Sequence, residues 1–187
     1  MLPRKELFES WEVAKRARGL ARGARIADLA AGHGLLAHLL LIMDRSAPGA
    51  ICVDARKPAS AEPLSRALTA EWPELAGRIE YLEQSVDDTL ALTANDVIVS
   101  VHACGALTDA VLDRALAARA PVAVLPCCQE IKVLDTGGLE GWVEGTLAID
   151  IMRAARLSHA GYRVKTVRID SDVTPKNRLL LGVPSPS

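Results

Sequence analysis

The sequence predicts a doubly wound α/β fold: a sheet of seven strands, mostly parallel, with helices on both faces and an antiparallel last strand. Three observations lead there. A short apolar run at 26–31 is followed by a glycine turn, Gly32-His33-Gly34, and then by an apolar stretch from Leu35 to Met43 that reads as a helix. Aliphatic strands and amphipathic helices then alternate along the chain, the pattern of a parallel sheet covered on both sides. Near the end two strands follow one another with only a turn between them, and such neighbours pair antiparallel.

Taken in order, residues 4–19 read as an amphipathic helix with Leu7, Trp11, Ala14 and Ala17 on one face. Strand 26–31 and helix 35–43 follow, then strand 49–54, which ends in Asp54. Residues 60–76 read as a helix on Leu64, Ala67, Leu68 and Trp72, and Arg78 to Leu82 as the third strand. Asp96 to Val101 is nearly all aliphatic, as a strand buried on both faces should be. A helix over roughly 107–118 and a strand from Pro121 to Leu125 come next. Residues 132–145 carry Gly137, Gly138, Gly141, Gly145 and Trp142 and read as a mobile cover over a site. Helix 146–159, strand 162–169 and strand 178–183 complete the sheet.

With 187 residues, half of them hydrophobic, one domain is expected over 1–183, with 184–187 as a loose tail. A net charge of −1 gives no global field toward nucleic acid or membrane. Three tryptophans, two tyrosines and one phenylalanine leave little for stacking bases. Lys15, Arg16, Arg18, Arg22 and Arg25 form a local basic cluster, either a solvated face or a contact for RNA phosphates. Four cysteines, two of them adjacent, do not form a disulfide framework, and the first residues lack the apolar core of a secretory leader. The expected setting is therefore the reducing cytoplasm. Leu35 to Met43 is too short to cross a bilayer.

The candidate site grows from the first glycine turn. Gly32 and Gly34 let backbone approach a ligand where a Cβ would clash, and the first amides of the next helix point into the same space. Asp28, inside an apolar run, is costly unless a donor-rich or cationic ligand pairs with it. Asp54 lies twenty positions beyond Gly34, where a doubly wound sheet places an acid on a nucleoside ribose. Ala30 and Ala55 flank these acids. Gln84 and Ser85, just past the third strand, are candidates to flank an adenine, with an ordinary polar loop as the equal alternative.

Gly32 to Ala37 also fits the dinucleotide pattern G-x-G-x-x-A. The acid four positions before the first glycine and the terminal hairpin instead resemble the Rossmann-like class I S-adenosylmethionine-dependent methyltransferase fold. That resemblance implies S-adenosylmethionine as cofactor, held by Asp28, Ala30, Gly32, Gly34, Asp54, Ala55, Gln84, Ser85 and His102. A narrower resemblance lies in "HACGALTD" (102–109), "PCC" (126–128) and "TPKN" (174–177). These are similar to motifs of the tRNA acceptor-stem 2′-O-methyltransferases and related methyltransferase-like proteins, though Gln129 and Glu130 stand where the tRNA enzymes carry histidines. The resemblance implies that His102, Cys104, Gly105, Cys127 and Cys128 line the methyl-transfer edge.

For a hydroxyl acceptor a base helps, and His102 is the candidate, against a histidine that merely pins its loop. Cys104, Cys127, Cys128, Trp142, Lys176 and Asn177 form the expected substrate edge. The fourth and fifth strands should be neighbours, so His102, Cys104, Cys127 and Cys128 could converge, residue types that bind zinc. A metal is nevertheless not expected, because H-x-C and C-C are not the spacing of a C-x-x-C knuckle and adjacent residues on a strand point apart. Asp150 with Arg153 reads as a surface ion pair. The expected function is methyl transfer from S-adenosylmethionine to an acceptor of open class (RNA, protein or small molecule), with a tilt to RNA. Two alternatives are a donor-binding module without catalysis and an NAD(P)-binding domain.

Overall fold

A computed structural model describes residues 3–88 and 90–186. Its elements in chain order are α1 (Arg4–Ala17), β1 (Arg25–Leu29), α2 (Leu35–Met43), β2 (Ala50–Asp54), α3 (Ala61–Glu71), β3 (Ile79–Glu83), β4 (Asp96–Ser100), α4 (Ala106–Ala118), β5 (Val122–Val124), α5 (Gly145–His159), β6 (Tyr162–Arg168) and β7 (Arg178–Pro184). They build one seven-stranded sheet in the order β3-β2-β1-β4-β5-β7-β6. All neighbours pair parallel except β7, which runs antiparallel to both β5 and β6. The order reverses between β1 and β4, so a crevice opens beyond their carboxyl ends.

Alternation along the strands divides the core in two. Ile26, Cys52, Val97, Val99 and Ala123 face α1 and α2. Ala27, Leu29, Ile51, Val53 and Ile98 face the opposite way, toward Val111, Leu112 and Ala115 of α4 and Leu157 of α5. Every residue of β4 is buried. Its first, Asp96, is tied to Arg25 Nε at 2.5 Å and accepts the Thr93 amide at 2.7 Å.

Four local expectations change. The inward face of α1 is Glu9, Ser10, Val13, Ala14 and Ala17, while Leu7 and Trp11 are exposed. The small side chains Val13, Ala14 and Ala17, rather than the large apolar ones, pack with α2. Helix α3 stops at Glu71, because the residue before Pro73 is pushed from helical backbone; Pro73–Leu75 is a separate 3₁₀ turn. Strand β1 ends at Leu29, and Ala30 turns with φ +56°. Strand β7 runs one residue past 183, and the Ser185 amide donates to Gly161 O at 2.9 Å. Met1, Leu2 and Ser187 lie outside the described residues. No described helix is long and apolar enough to cross a membrane.

Candidate active site

The turn from β1 into α2 supplies the first part of the site. Asp28 sits in β1 between Cys52 of β2 and Val99 of β4 and is only 2% exposed. Its Oδ2 accepts the Ala37 amide at 3.2 Å. Burial pushes its carboxyl well above the usual range, and the nearby charge of Asp54 adds to this. Gly34, at φ +76°, leads into α2; a Cβ there would stand 3.0 Å from Cys52 Sγ. Positive φ and this close approach both require glycine.

Asp54, at the end of β2, reaches the same turn. Its Oδ2 accepts the Gly32 amide at 2.9 Å and its Oδ1 the Arg56 amide at 3.2 Å. The Tyr81 hydroxyl, from β3, donates to Gly32 O at 2.7 Å. The Lys57 ammonium lies 5.1 Å above the Tyr81 ring. Burial, with several nearby acids, raises the Tyr81 phenol, so it remains a donor. The Gln84 amide donates to Asp54 O at 2.9 Å, which puts Gln84 beside Asp54. Its side-chain Nε2 is buried with no partner among the described residues. Ser85 is turned into its own loop, its amide on Asp88 Oδ2 at 2.8 Å. Ala55 is exposed at the rim.

A cavity of about 30 Å³ lies between this turn and α1, lined by Asp28, Ala30, Gly32, His102, Glu6 and Ser10. That is room for about one water. Helix α1 is thus the cover of the site, a role the sequence had suggested for 132–145. Two carboxylate–imidazole contacts join cover and floor: Glu6 Oε2 lies 3.6 Å from His33 Nδ1, and Glu9 Oε2 lies 4.0 Å from His102 Nε2. Lys5 Nζ holds the other Glu9 oxygen at 3.5 Å.

A family model described as a methyltransferase domain matches residues 10–133, about two thirds of the chain and both strand-to-helix turns that bound this cavity. The chain belongs to this family of methyltransferase domains. No curated protein matches its sequence. Solved structures share the fold at low identity. An O-methyltransferase family protein from Burkholderia thailandensis is 19% identical, with a TM-score of 0.59 over 96% of this chain and 57% of its own. The methyltransferase domain of bacterial CtHen1-C is 17% identical, with a TM-score of 0.64 over 98% and 100%. The 23S rRNA methyltransferase ErmE is 15% identical, with a TM-score of 0.57 over 99% and 70%. The chain spans little more than half the length of the Burkholderia protein.

The methyltransferase's second edge is built by the loops after β4 and β5. Gly105 turns the first loop into α4 at φ +58°, and its amide donates to Cys128 O at 2.6 Å. This bond ties the two loops together. Cys104 Sγ and Cys127 Sγ are 2.8 Å apart, and Cys128 Sγ joins them, all three within 4.8 Å of one another. The expectation that Cys127 and Cys128 diverge fails because β5 ends at Val124, so neither lies on a strand. Burial and the neighbouring sulfurs push the Cys127 thiol up, and burial also raises Cys104.

Behind this edge stands a network that the sequence had placed on the surface. Arg153 is 3% exposed. It binds both oxygens of Asp109 at 3.0 and 2.7 Å, Asp150 at 3.3 Å and the Gly105 carbonyl at 2.9 Å. Asp150 also receives Arg178 Nε at 2.6 Å and Gln129 Nε2 at 3.1 Å. The i,i+3 spacing of Asp150 and Arg153 was legible, but their burial depends on Asp109 and Arg178 from distant segments.

Other expected edge residues stand apart. Trp142 is 88% exposed, and no residue of 132–145 lines the cavity beside the glycine turn. That segment lies against α5, with Gly137 packed on Met152. Asn177 Nδ2 donates to Ile169 O at 3.1 Å and closes its own turn, and Lys176 is exposed. In the basic cluster, Lys15 and Arg16 are paired with Glu12, and Arg25 with Asp96. Sequence reasoning missed Glu6, Glu9 and Ser10. The available signal was polar residues in line with Val13, Ala14 and Ala17 at helical spacing.

Proposed function

We propose that Asp28, Ala30, Gly32 and Gly34 hold the methionine end of S-adenosylmethionine, Asp54 and Ala55 its ribose, and Gln84 and Ser85 the rim of its adenine, with the acceptor entering over His102. One observation carries the reading: two carboxylates, one buried beneath and one beside, converge on the same glycine turn at the topological switch point. The turn fits such a ligand, because Asp28 has a single amide partner and the space around a Cβ at Gly32 is open. An ammonium placed near Asp28 would offset its desolvation. The ribose hydroxyls would compete for the Asp54 oxygens that now accept two backbone amides.

When bound, the cofactor supplies an electrophilic methyl carbon on a sulfonium. The chain's own residues position and shield. Helix α1 excludes water, and it has to shift, since the present cavity is far smaller than a methionine arm. His102, which lines the cavity with Glu9 4.0 Å from its ring, is placed to accept a proton from a hydroxyl.

The acceptor we assign is RNA, on the similarity of residues 102–109, 126–128 and 174–177 to the tRNA acceptor-stem 2′-O-methyltransferases, and the four free cysteines fit the reducing cytoplasm. The test has two arms. Thermal shift with S-adenosylhomocysteine, NAD and NADP should raise the melting temperature with the first alone. Transfer of labelled methyl to separated RNA, protein and small-molecule pools should label RNA. Label confined to another pool rejects the RNA assignment; donor binding with no label in any pool rejects catalysis in favour of a binding module.

A further inference from the structure

We infer that Cys104, Cys127 and Cys128 form a three-thiolate site for one zinc-class cation, joining the loops after β4 and β5. The three sulfurs come from two segments and converge within 4.8 Å of one another, with Cys104 and Cys128 reachable from solvent. Zinc–thiolate bonds are about 2.3 Å, so a tetrahedral ion sets its sulfurs about 3.8 Å apart. That spacing falls within the cluster as it stands. The Cys104–Cys127 pair, at 2.8 Å, has to open by about 1 Å. Cys104, exposed on its loop, has room to do so. A disulfide would draw the same pair together to about 2.05 Å and leave Cys128 idle. The convergence of all three favours a shared ion.

The surroundings hold the geometry in place. The Gly105 amide donates to the Cys128 carbonyl, and Arg153 fixes the Gly105 carbonyl from behind. Gln129, beside Cys128, is anchored on Asp150. Both cysteine-bearing loops are therefore fastened by groups other than the thiols. Three protein ligands leave one position of a tetrahedral ion open, the coordination of a catalytic rather than a purely structural zinc site. An oxygen or sulfur atom from outside would complete it. Soft thiolates select zinc or its congeners over magnesium or calcium.

The test uses the whole chain, reduced and stripped of metal, then titrated with zinc or cobalt(II). Expected are one bound zinc per chain that survives competition by a chromophoric chelator, and cobalt spectra with sulfur charge-transfer bands and intense tetrahedral d–d bands. Cys104→Ser, Cys127→Ser and Cys128→Ser should each weaken zinc by at least about tenfold, and Cys52→Ser, on β2, should not. Circular dichroism checks that each variant folds. The inference is overturned by zinc uptake no greater than that of the triple serine variant, or by a thiol count under air that shows a Cys104–Cys127 disulfide which zinc does not prevent. S-adenosylhomocysteine binding, measured on the same samples, separates the two readings. Zinc bound without it sinks the donor assignment and leaves this site standing; the reverse result sinks this site alone.

Discussion

The proposed donor end and acceptor edge of this molecule are built in opposite ways. At the donor end, strand, acid, turn and helix are consecutive in the chain, and even Asp54 arrives from the next strand of a regular right-handed unit. At the acceptor edge, His102 meets Glu9 of α1, and Cys104 meets Cys127 and Cys128. Arg153 of α5 braces the loop that carries Cys104. A site written in one stretch is set by local backbone conformation. A site assembled from four stretches is set by packing, and packing should fail first when it is cut.

The largest expected effect tests that difference directly. Arg153→Ala removes a buried guanidinium and leaves Asp109, Asp150 and the Gly105 carbonyl short of partners. Breaking a buried ion pair from one side costs about 3–5 kcal/mol, and urea unfolding should show a loss of that size. Arg153→Lys should recover little, because one ammonium cannot reproduce the fork on Asp109 together with two further contacts. A loss near zero would mean that the acceptor edge does not depend on this network. Donor affinity in the folded variant should be unchanged, since the glycine turn touches none of these groups.

This contrast also explains what could be read in advance. The mostly parallel sheet, the antiparallel end and the Asp28 to Gly34 turn follow from alternation, spacing and glycine, all local signals. The cover did not. Glu9 and Ser10 look like solvent-facing residues beside Leu7 and Trp11, and only the docking of α1 on α2 turns them inward. Trp142 among glycines looked like a lid, yet the segment found its partner in Met152 of α5. Neighbouring fourth and fifth strands let Cys104 meet the cysteine pair, but that Cys127 and Cys128 both turn toward it depends on where β5 stops.

His102→Ala should lower kcat by about 100-fold, the lower end of general-base effects, with donor affinity kept. The measurement is turnover on the pool that accepts methyl. Glu9→Gln should give a smaller drop and move the pH profile of kcat, as expected of a residue that acts through His102. An unchanged pH profile in Glu9→Gln would reduce the 4.0 Å contact to packing. Equal losses of donor affinity in both variants would place His102 at the donor end and blur the two regions.

Asp28→Asn should weaken S-adenosylhomocysteine by about 10- to 100-fold, the range for a lost charged hydrogen bond. The chain should still fold, because an amide fills the same space. Calorimetry measures the affinity. The pH dependence has a definite sign. The folded state raises the Asp28 carboxyl above its unfolded value, so the stability it contributes is fully present below the ordinary carboxylate range. That contribution is lost as pH rises through the folded value. Without ligand, the parent chain should therefore lose stability relative to Asp28→Asn over this window. The ligand's ammonium favours the ionised carboxylate, so affinity for the parent should rise with pH over the same window and that of the variant should not. A flat affinity profile for the parent would remove Asp28 from the ligand's reach.

The smallest expected effect concerns the backbone of the donor turn itself. Ala30 holds φ +56°, a conformation costing a non-glycine residue about 1–2 kcal/mol. Ala30→Gly relieves that cost, but loses about 0.4–1 kcal/mol through the freer unfolded chain and up to about 0.8 kcal/mol for the buried methyl. The balance should fall between a loss of about 0.8 kcal/mol and a gain of about 1.6 kcal/mol. Ala27→Gly, three residues earlier, is also buried but lies in β1 with nothing to relieve, so it should cost about 1–2 kcal/mol. Paired urea titrations of the two variants measure the difference. If Ala30→Gly is as costly as Ala27→Gly, the turn is not under left-handed strain. The donor end then owes its shape to side-chain packing, as the acceptor edge does.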